Sequence, residues 1–356
     1  MIATLSKNEK IVLYSLVKYP SLSDTEICKK VNLRKSTFST IKKKLKESDY
    51  FTTLRMPILQ HIGCELLVVS HLILNRKTTI DERLAITRET LDRFLEFFYI
   101  VSESDQAVTL AVSRNITEFL KNIAPVIQIY DEHNFFDKEG FIHVFFPFEL
   151  TTIFNFFVFA PLLDRLFGLG LEKTQEKLDV RSEKVKCRVK HRDMSDMEKR
   201  VYYGLVKYPE LPDYKIAEKL SITRSTVMKM KERFYAEKLM RTTRMVNMKK
   251  LGLEILAFTH SKFNPKKPIY KRIEGIQKII QMQTPIFNAS SDLESIMLTP
   301  YRNFEDYQRI HAEVTRFQVQ NEFLREEPTS LLMSIPMMTI VKDHMYAPLV
   351  KKILEI

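Results

Sequence analysis

The stretch VLYSLVKYPSLSDTEI, residues 12–27, returns later in the chain as VYYGLVKYPELPDYKI, residues 201–216. At the same spacing the segments 6–75 and 195–264 stay aligned without a gap. Further identities continue at a slightly drifting offset, ending with Ala-Pro-Leu at 160–162 and again at 347–349. This period is far too long for a solenoid repeat, so we predict two tandem copies of one self-sufficient unit.

Composition indicates a globular, intracellular chain. Its 356 residues are 45% hydrophobic and 28% charged, with room for several domains. The three cysteines are far apart and form no paired motif, so we expect a reducing, cytoplasmic setting without disulfides. The N-terminal residues show no secretory signal. The longest apolar run, 141–163, contains prolines and several polar residues, so we expect no membrane span. The lysine- and isoleucine-rich composition suggests an archaeal-like source.

Positive charge is concentrated at the start of each copy. Residues 1–60 carry a net +7 and residues 190–250 a net +8, whereas residues 61–170 carry −6 and residues 251–356 carry +1. Lysines that served only solubility would be spread evenly. The pattern therefore favours two basic heads that bind a polyanion, separated by acidic or neutral modules.

Each head is predicted to contain three short helices. In the first copy apolar spacing indicates helices over 9–18, 24–31 and 35–46, the second capped by Asp24. Phe38, Ile41 and Leu45 form an inward stripe on the third helix, and the second copy repeats it as Val227, Met230 and Phe234. A strand or hairpin follows at 50–59 and again at 239–248. This order describes a winged helix-turn-helix, whose third helix enters the major groove of DNA.

The candidate DNA-binding residues lie on the outward side and the N-terminus of the third helix, together with one arginine in each following strand. Hydroxyl and basic groups there suit phosphate and base-edge contacts. In the first copy they are Arg34, Lys35, Ser36, Thr37, Ser39, Thr40, Lys43 and Arg55, and in the second Thr223, Arg224, Ser225, Thr226, Met228, Lys229, Glu232 and Arg244. The alternatives are a basic face that is merely solvated and a winged helix that docks on a protein.

A second module follows each head. In the first copy we predict a strand at 66–74, a helix at 81–99, two strands within 100–113, a helix at 117–130 and a strand at 141–148. The second copy repeats this βαββαβ order, which is that of a ferredoxin-like sandwich. The predicted class is thus α+β, a tandem repeat of a winged helix-turn-helix domain followed by a βαββαβ ferredoxin-like domain. The predicted domains are 1–60, 61–170, 194–250 and 251–356, with a charged connector at 171–193.

This layout resembles the leucine-responsive regulatory protein (Lrp/AsnC) family. Residues 34–38 and 223–227 look like that family's entry to the recognition helix, and 60–63 and 249–252 look like its joint between domains. The resemblance implies a transcription regulator that dimerises through its sandwich domain, with many members binding an amino acid between sandwiches. Ser102 and Ala289 stand where the family usually has a glycine, which argues against effector binding in the family's manner.

Catalytic and cofactor motifs are not apparent. His71 together with Asp105, and His260 together with Asp292, suggest a metal site, but no further ligand lies at metal-binding spacing, so we interpret both histidines as structural. No nucleophile–base constellation, phosphate loop or HExxH motif occurs. We therefore expect no cofactor, no metal and no enzymatic activity.

Two asymmetric segments remain. The phenylalanine-rich stretch 135–159 has a less aromatic counterpart, so we predict that part of it is a contact surface between sandwiches or between chains. Within the connector, Lys184, Lys186, Arg188, Lys190 and Arg192 recur at every second residue, which suits either a phosphate backbone or a solvated linker.

The sequence thus predicts a regulator that binds double-stranded DNA with two winged helices as an internal pseudo-dimer, with homo-oligomers through the sandwiches as a further expectation. Because the two recognition helices differ, we expect an asymmetric site. The alternative is a non-enzymatic assembly factor that docks proteins in transcription or chromosome machinery.

Overall fold

A computed structural model describes residues 5–91, 94–172 and 192–356. The chain divides into two compact units, neither of which follows chain order. The first unit contains residues 1–54, 152–185 and 242–336, and the second contains residues 55–151, 186–241 and 337–356. Each unit therefore combines the helical head of one copy with the sandwich of the other. Lys184, Lys186, Arg188 and Lys190 of the connector lie outside the described residues.

Three helices and a strand build the first head. They are α1 (Lys7–Lys18), α2 (Asp24–Val31), α3 (Lys35–Glu47) and β1 (Phe51–Pro57). Ser6 and Ser23 cap α1 and α2, each within a capping box completed by the glutamate three residues later. The prediction that Asp24 caps α2 is wrong, because Ser23 takes that position and leaves the Asp24 carboxylate to pair with Lys42.

The first sandwich has the predicted βαββαβ order. Its elements are β2 (Leu66–Leu74), α4 (Ile80–Leu91), β3 (Phe97–Ser102), β4 (Gln106–Ser113), α5 (Ile116–Glu132) and β5 (Phe136–Pro147). Apolar side chains of α5 pack against one face of the sheet, with Phe119 and Ile123 meeting Leu66 and Val68. The predicted helix over 81–99 ends earlier, because the buried run that begins at Phe97 pairs with β4 as a strand.

The chain then forms β6 (Thr152–Phe156) and α6 (Ala160–Phe167), followed by the second head and the second sandwich. The head contains α7 (Asp196–Lys207), α8 (Asp213–Leu220), α9 (Arg224–Ala236) and β7 (Met240–Val246). The sandwich contains β8 (Ile255–Lys262), α10 (Ile269–Gln283), β9 (Phe287–Ser290), β10 (Glu294–Tyr301), α11 (Phe304–Gln320) and β11 (Thr329–Ser334). The last elements are β12 (Thr339–Lys342) and α12 (Tyr346–Leu354).

Each of the two sandwich sheets has a fifth strand that the sequence did not predict. The sheet of the second unit has the order β12-β3-β4-β2-β5, and that of the first unit has the order β11-β8-β10-β9-β6. Strand β6 pairs antiparallel with β9, and β12 pairs antiparallel with β3. The tail that follows each sandwich in sequence therefore adds an edge strand to the sheet of the other copy. These strands are short and lack a clear alternation of apolar and polar residues, so periodicity did not reveal them.

The phenylalanine-rich stretch contributes to both cores. Phe135, Phe136 and Phe145 belong to the apolar cluster of the first sandwich. In the first unit, the rings of Phe157 and Phe287 lie 5.7 Å apart. These rings are core residues, and a contact surface elsewhere in the stretch stays a prediction. Among the described residues, no helix has the length and apolar character needed to cross a membrane.

Candidate functional site

The recognition helix of the first head, α3, has one buried and one exposed side. Phe38 and Leu45 are fully buried, and Ile41 is half-buried. The predicted DNA contacts of this helix are all exposed: Arg34, Lys35, Ser36, Thr37, Ser39, Thr40 and Lys43. Arg34 is the N-cap residue of α3, and its side chain accepts no hydrogen bond from the N–H groups of the first turn. Such groups attract anions, phosphate included.

The second recognition helix, α9, repeats this arrangement with different chemistry. Val227 and Phe234 are buried, and the Thr223 hydroxyl caps the helix by accepting a hydrogen bond from the Thr226 amide at 3.2 Å. Thr226 is half-buried, and the other predicted contacts of the helix are exposed: Thr223, Arg224, Ser225, Met228, Lys229 and Glu232. The exposed faces therefore differ at three aligned positions: α3 has Ser39, Thr40 and Lys43, and α9 has Met228, Lys229 and Glu232.

Other cations of the two recognition helices are engaged inside their own heads. Lys42 lies 2.7 Å from the Asp24 carboxylate, and the matching pair Lys231 and Asp213 lies 2.6 Å apart. Lys44 contacts Glu9 at 2.6 Å, and in the second head Arg233 pairs with Glu198. These pairs tie the third helix of each head to its first and second helices.

The two strand arginines, Arg55 and Arg244, bind the C-terminal ends of helices. Arg244 is 8% exposed and its guanidinium donates to the carbonyl of Leu16 in α1. The guanidinium of Arg55 lies 3.4 Å from the carbonyls of Leu205 and Tyr208, at the end of α7. A cation at the C-terminus of a helix is favourable because the helix dipole is negative there.

The repeated Val-Lys-Tyr-Pro motif explains why these arginines are needed. In an α-helix the carbonyl of Leu16 accepts from the residue four positions later, which is Pro20, and proline has no N–H. The same holds for Leu205 and Pro209. Arginine side chains therefore satisfy two carbonyls that the motif leaves without a backbone donor. Arg55 and Arg244 were predicted to contact DNA, but in the structure their guanidinium groups are engaged by helix carbonyls.

The first sandwich also encloses a cavity of about 70 Å³. It lies between the sheet and helices α4 and α5, and its lining is mostly apolar. The polar groups on its walls include Ser70, Thr109 and His143, with Ser70 Oγ 2.6 Å from His143 Nδ1. Sequence reasoning missed this site. The available signal was His143, a histidine at an inward position of the otherwise apolar run 141–148.

The histidines singled out in the sequence lie on the first strand of each sheet. His260 is buried and its Nε2 lies 2.9 Å from a Glu294 carboxylate oxygen, while His71 is 4% exposed. Asp105 binds Arg76 at 2.7 Å. Within residues 5–91, 94–172 and 192–356, no group of three or more histidine, cysteine or acidic side chains is arranged to hold a metal ion.

Comparison with known proteins identifies the fold. No family model matches the chain, and no curated protein matches it. The siroheme decarboxylase NirDL is similar over 98% of this chain and 99% of its own, with 9% sequence identity and a TM-score of 0.54. The same enzyme in co-complex with an iron-uroporphyrin III analogue gives the same coverage and TM-score at 8% identity. An AsnC family transcriptional regulator from Agrobacterium tumefaciens matches 39% of this chain and 90% of its own, at 10% identity and a TM-score of 0.34.

The chain therefore has an Lrp/AsnC-like fold in two repeated units, as its sequence predicts. The expectation of no enzymatic activity is contradicted, because NirDL, a protein similar over the full length, is a decarboxylase, so the fold is compatible with an enzyme. A missing catalytic motif did not justify that expectation, since one fold can carry unrelated functions and function is decided by local sites.

Proposed function

We propose that the chain is a sequence-specific, double-stranded DNA-binding transcription regulator whose two winged helices act as an internal pseudo-dimer. The main evidence is a contrast between two groups of cations on the recognition helices: some are paired with carboxylates of their own head, and others are exposed without such a partner. Lys42 and Lys231 are held by aspartates of their own heads. Lys35 and Arg224, at the exposed N-termini of α3 and α9, have no carboxylate partner among the described residues.

The charge of the chain supports the same function. Both heads are strongly positive, whereas the first sandwich segment is negative and the second nearly neutral. Each lysine or arginine that contacts a phosphate releases counterions from DNA, so exposed cations near hydroxyl groups favour duplex binding. The exposed faces of α3 and α9 differ, so the proposal includes two unlike half-sites.

The test is fluorescence anisotropy with a labelled duplex over a range of salt concentrations. We compare the wild type with the double variants Lys35→Ala/Lys43→Ala and Arg224→Ala/Lys229→Ala. Each phosphate contact removed should reduce the slope of log K against log salt by about 0.9. Affinity at low salt should fall about tenfold or more, because one specific contact contributes roughly 1–3 kcal/mol.

A matched control removes the same charge from the first sandwich. In Lys77→Ala/Lys138→Ala both substituted lysines are exposed and lie outside the heads. This variant should bind DNA nearly as the wild type does. Equal losses in the control and the head variants would show non-specific attraction to a basic protein and would contradict the recognition-helix proposal.

A second candidate is chemistry on an iron tetrapyrrole, favoured by the likeness to NirDL over 98% of the chain. The cavity of about 70 Å³ is much smaller than pockets for larger organic ligands, which measure roughly 300–1,000 Å³. A macrocycle would therefore need a site other than this cavity as it stands. Titration with iron-uroporphyrin III, followed by its absorption spectrum and by assay for released carbon dioxide, decides this candidate.

A further inference from the structure

The cavity of the first sandwich contains two buried polar atoms with no protein partner. Thr109 is 7% exposed, and its hydroxyl makes no hydrogen bond within the protein. His143 uses Nδ1 in its contact with Ser70, while its Nε2 is buried and has no partner. Both residues line the cavity. Buried polar atoms in native structures are nearly always hydrogen-bonded, so two such atoms around one cavity point to a bound group.

The corresponding region of the second sandwich is built differently. His71 and His260 are equivalent residues of the two copies, and in the strand registers His71 pairs with Val108 and His260 with Ile296. The residues that follow these partners, Thr109 and Met297, are therefore equivalent too. Met297 packs in the apolar cluster of its sandwich, against residues such as Ile276 and Ile279. In the same way the register aligns His143 with Ser330. The fold therefore accepts a large apolar side chain at the position where the first sandwich keeps Thr109.

Other polar groups on the cavity wall are engaged by partners within the protein. Arg83 donates to the backbone carbonyls of Asn75, Thr78, Glu103 and Ser104. Its guanidinium is thus satisfied by neutral acceptors and repels a cation. Another pair on the wall, Thr87 and Tyr130, hydrogen-bond to each other. Among the described lining residues, the fully buried polar side-chain atoms without a hydrogen-bond partner are the Thr109 hydroxyl and His143 Nε2.

The electrostatics of the site select a neutral molecule. Burial lowers the pKa of His143 to about 4, with a smaller effect from the neighbouring His71. The imidazole is therefore neutral near pH 7, and Nε2 donates or accepts one hydrogen bond according to its tautomer. A carboxylate would lose its hydration without gaining a free cation, because Arg83 is saturated by carbonyls.

Size limits the ligand further. An engineered apolar cavity of about 150 Å³ holds benzene. In the same proportion, a cavity of about 70 Å³ fits an apolar body of about three carbon atoms. We propose that the first sandwich binds a small neutral alcohol or ketone, whose oxygen meets Thr109 and His143 and whose hydrocarbon body fills the space between the sheet and helices α4 and α5. This site lies inside one sandwich and does not depend on DNA binding.

The probe is 2-propanol, added to the full chain with labelled methyl groups and followed by NMR. Saturable shifts are expected at methyl groups around the cavity, including those of Ile123, Val126 and Ile127. Thr109→Met, which copies the second sandwich, should fill the cavity and weaken binding more than tenfold. Thr109→Val keeps the shape but removes the hydroxyl, so affinity should fall about 3- to 10-fold, as expected for one hydrogen bond.

The control is Thr117→Met, which adds the same side chain at an exposed position of α5 and should leave binding unchanged. Isobutyrate and isopropylammonium should bind more weakly than the alcohol. Three outcomes overturn the proposal: no saturable binding of 2-propanol, equal binding by the wild type and a folded Thr109→Met protein, or tighter binding of either charged analogue.

Discussion

Replacing Arg244 with methionine separates the structural role of the strand arginines from the DNA-binding role proposed for the recognition helices. Methionine keeps most of the apolar stem but removes the guanidinium that donates to Leu16. The comparison variant is Arg224→Ala, which removes an exposed arginine at the start of α9. We expect the first change to reduce stability and the second to reduce DNA affinity.

The magnitude follows from what Arg244 satisfies. The Leu16 carbonyl is near the end of α1, and Pro20 cannot donate to it, so loss of the guanidinium leaves this acceptor without its donor. A buried acceptor left unsatisfied costs about 1–3 kcal/mol. For a unit of this size, each kcal/mol shifts the unfolding midpoint by roughly 2–4 °C. We therefore expect Arg244→Met to lower that midpoint by roughly 2–12 °C.

The assay is thermal unfolding followed by far-ultraviolet circular dichroism, combined with duplex binding measured well below the midpoint. Arg224→Ala should change stability by less than about 0.5 kcal/mol, as is usual for exposed sites, while DNA affinity falls about tenfold. Arg244→Met should retain most of its DNA affinity at the lower temperature. An unchanged midpoint together with a large loss of affinity in Arg244→Met would refute this interpretation and return the arginine to the DNA interface.

Two other predictions concern acid stability and the DNA site. The hydrogen bond from Lys44, followed by that from the Ser6 backbone, lowers the pKa of Glu9 below its ordinary value of 4.5. The Glu9 carboxylate therefore stabilises the folded protein fully above that value, and this stabilisation is lost as pH falls through the folded-state pKa. The difference in unfolding midpoint between the wild type and Glu9→Gln should therefore be present at pH 7 and shrink below about pH 4. The control Glu47→Gln, an exposed residue 3.7 Å from Lys43, should show little difference at any pH, and a constant Glu9→Gln effect would contradict the assignment. Selection of bound duplexes from a random pool should recover two unlike half-sites in fixed order, because Lys43 is replaced by Glu232 in the second head, and a simple palindrome from a monomeric protein would show that these residues do not read bases.

Local sequence determined most of the secondary structure. Serine–glutamate pairs, apolar stripes such as Phe38 with Leu45, and the continuous apolar runs of strands such as β2 act over a few residues, so their signal is present in the sequence. The internal repeat then doubled this evidence, because the same elements are predicted independently in both copies. The βαββαβ order and the tandem arrangement could be read in this way.

The ends of some helices and strands, and the edge strands of the sheets, could not be predicted from the sequence. The strand β3 begins at Phe97 within a stretch assigned to a helix, because a short buried run has no period that separates helix from strand. Strands β6 and β12 become strands only by pairing with β9 and β3, each far away along the chain. These strands form only by pairing with a distant partner strand, and no local sequence pattern predicts that pairing.

The sequence by itself determined the repeat, the helical heads and the concentration of basic charge on them, since each follows from residue type and short-range spacing. Only the tertiary structure decided what individual side chains do. It placed Arg55 and Arg244 on helix carbonyls left open by Pro209 and Pro20, although their position in basic strands indicated DNA contact. It also brought Thr109 and His143 to one cavity. These roles depend on contacts between residues distant in sequence, and such contacts are set by packing rather than by local periodicity.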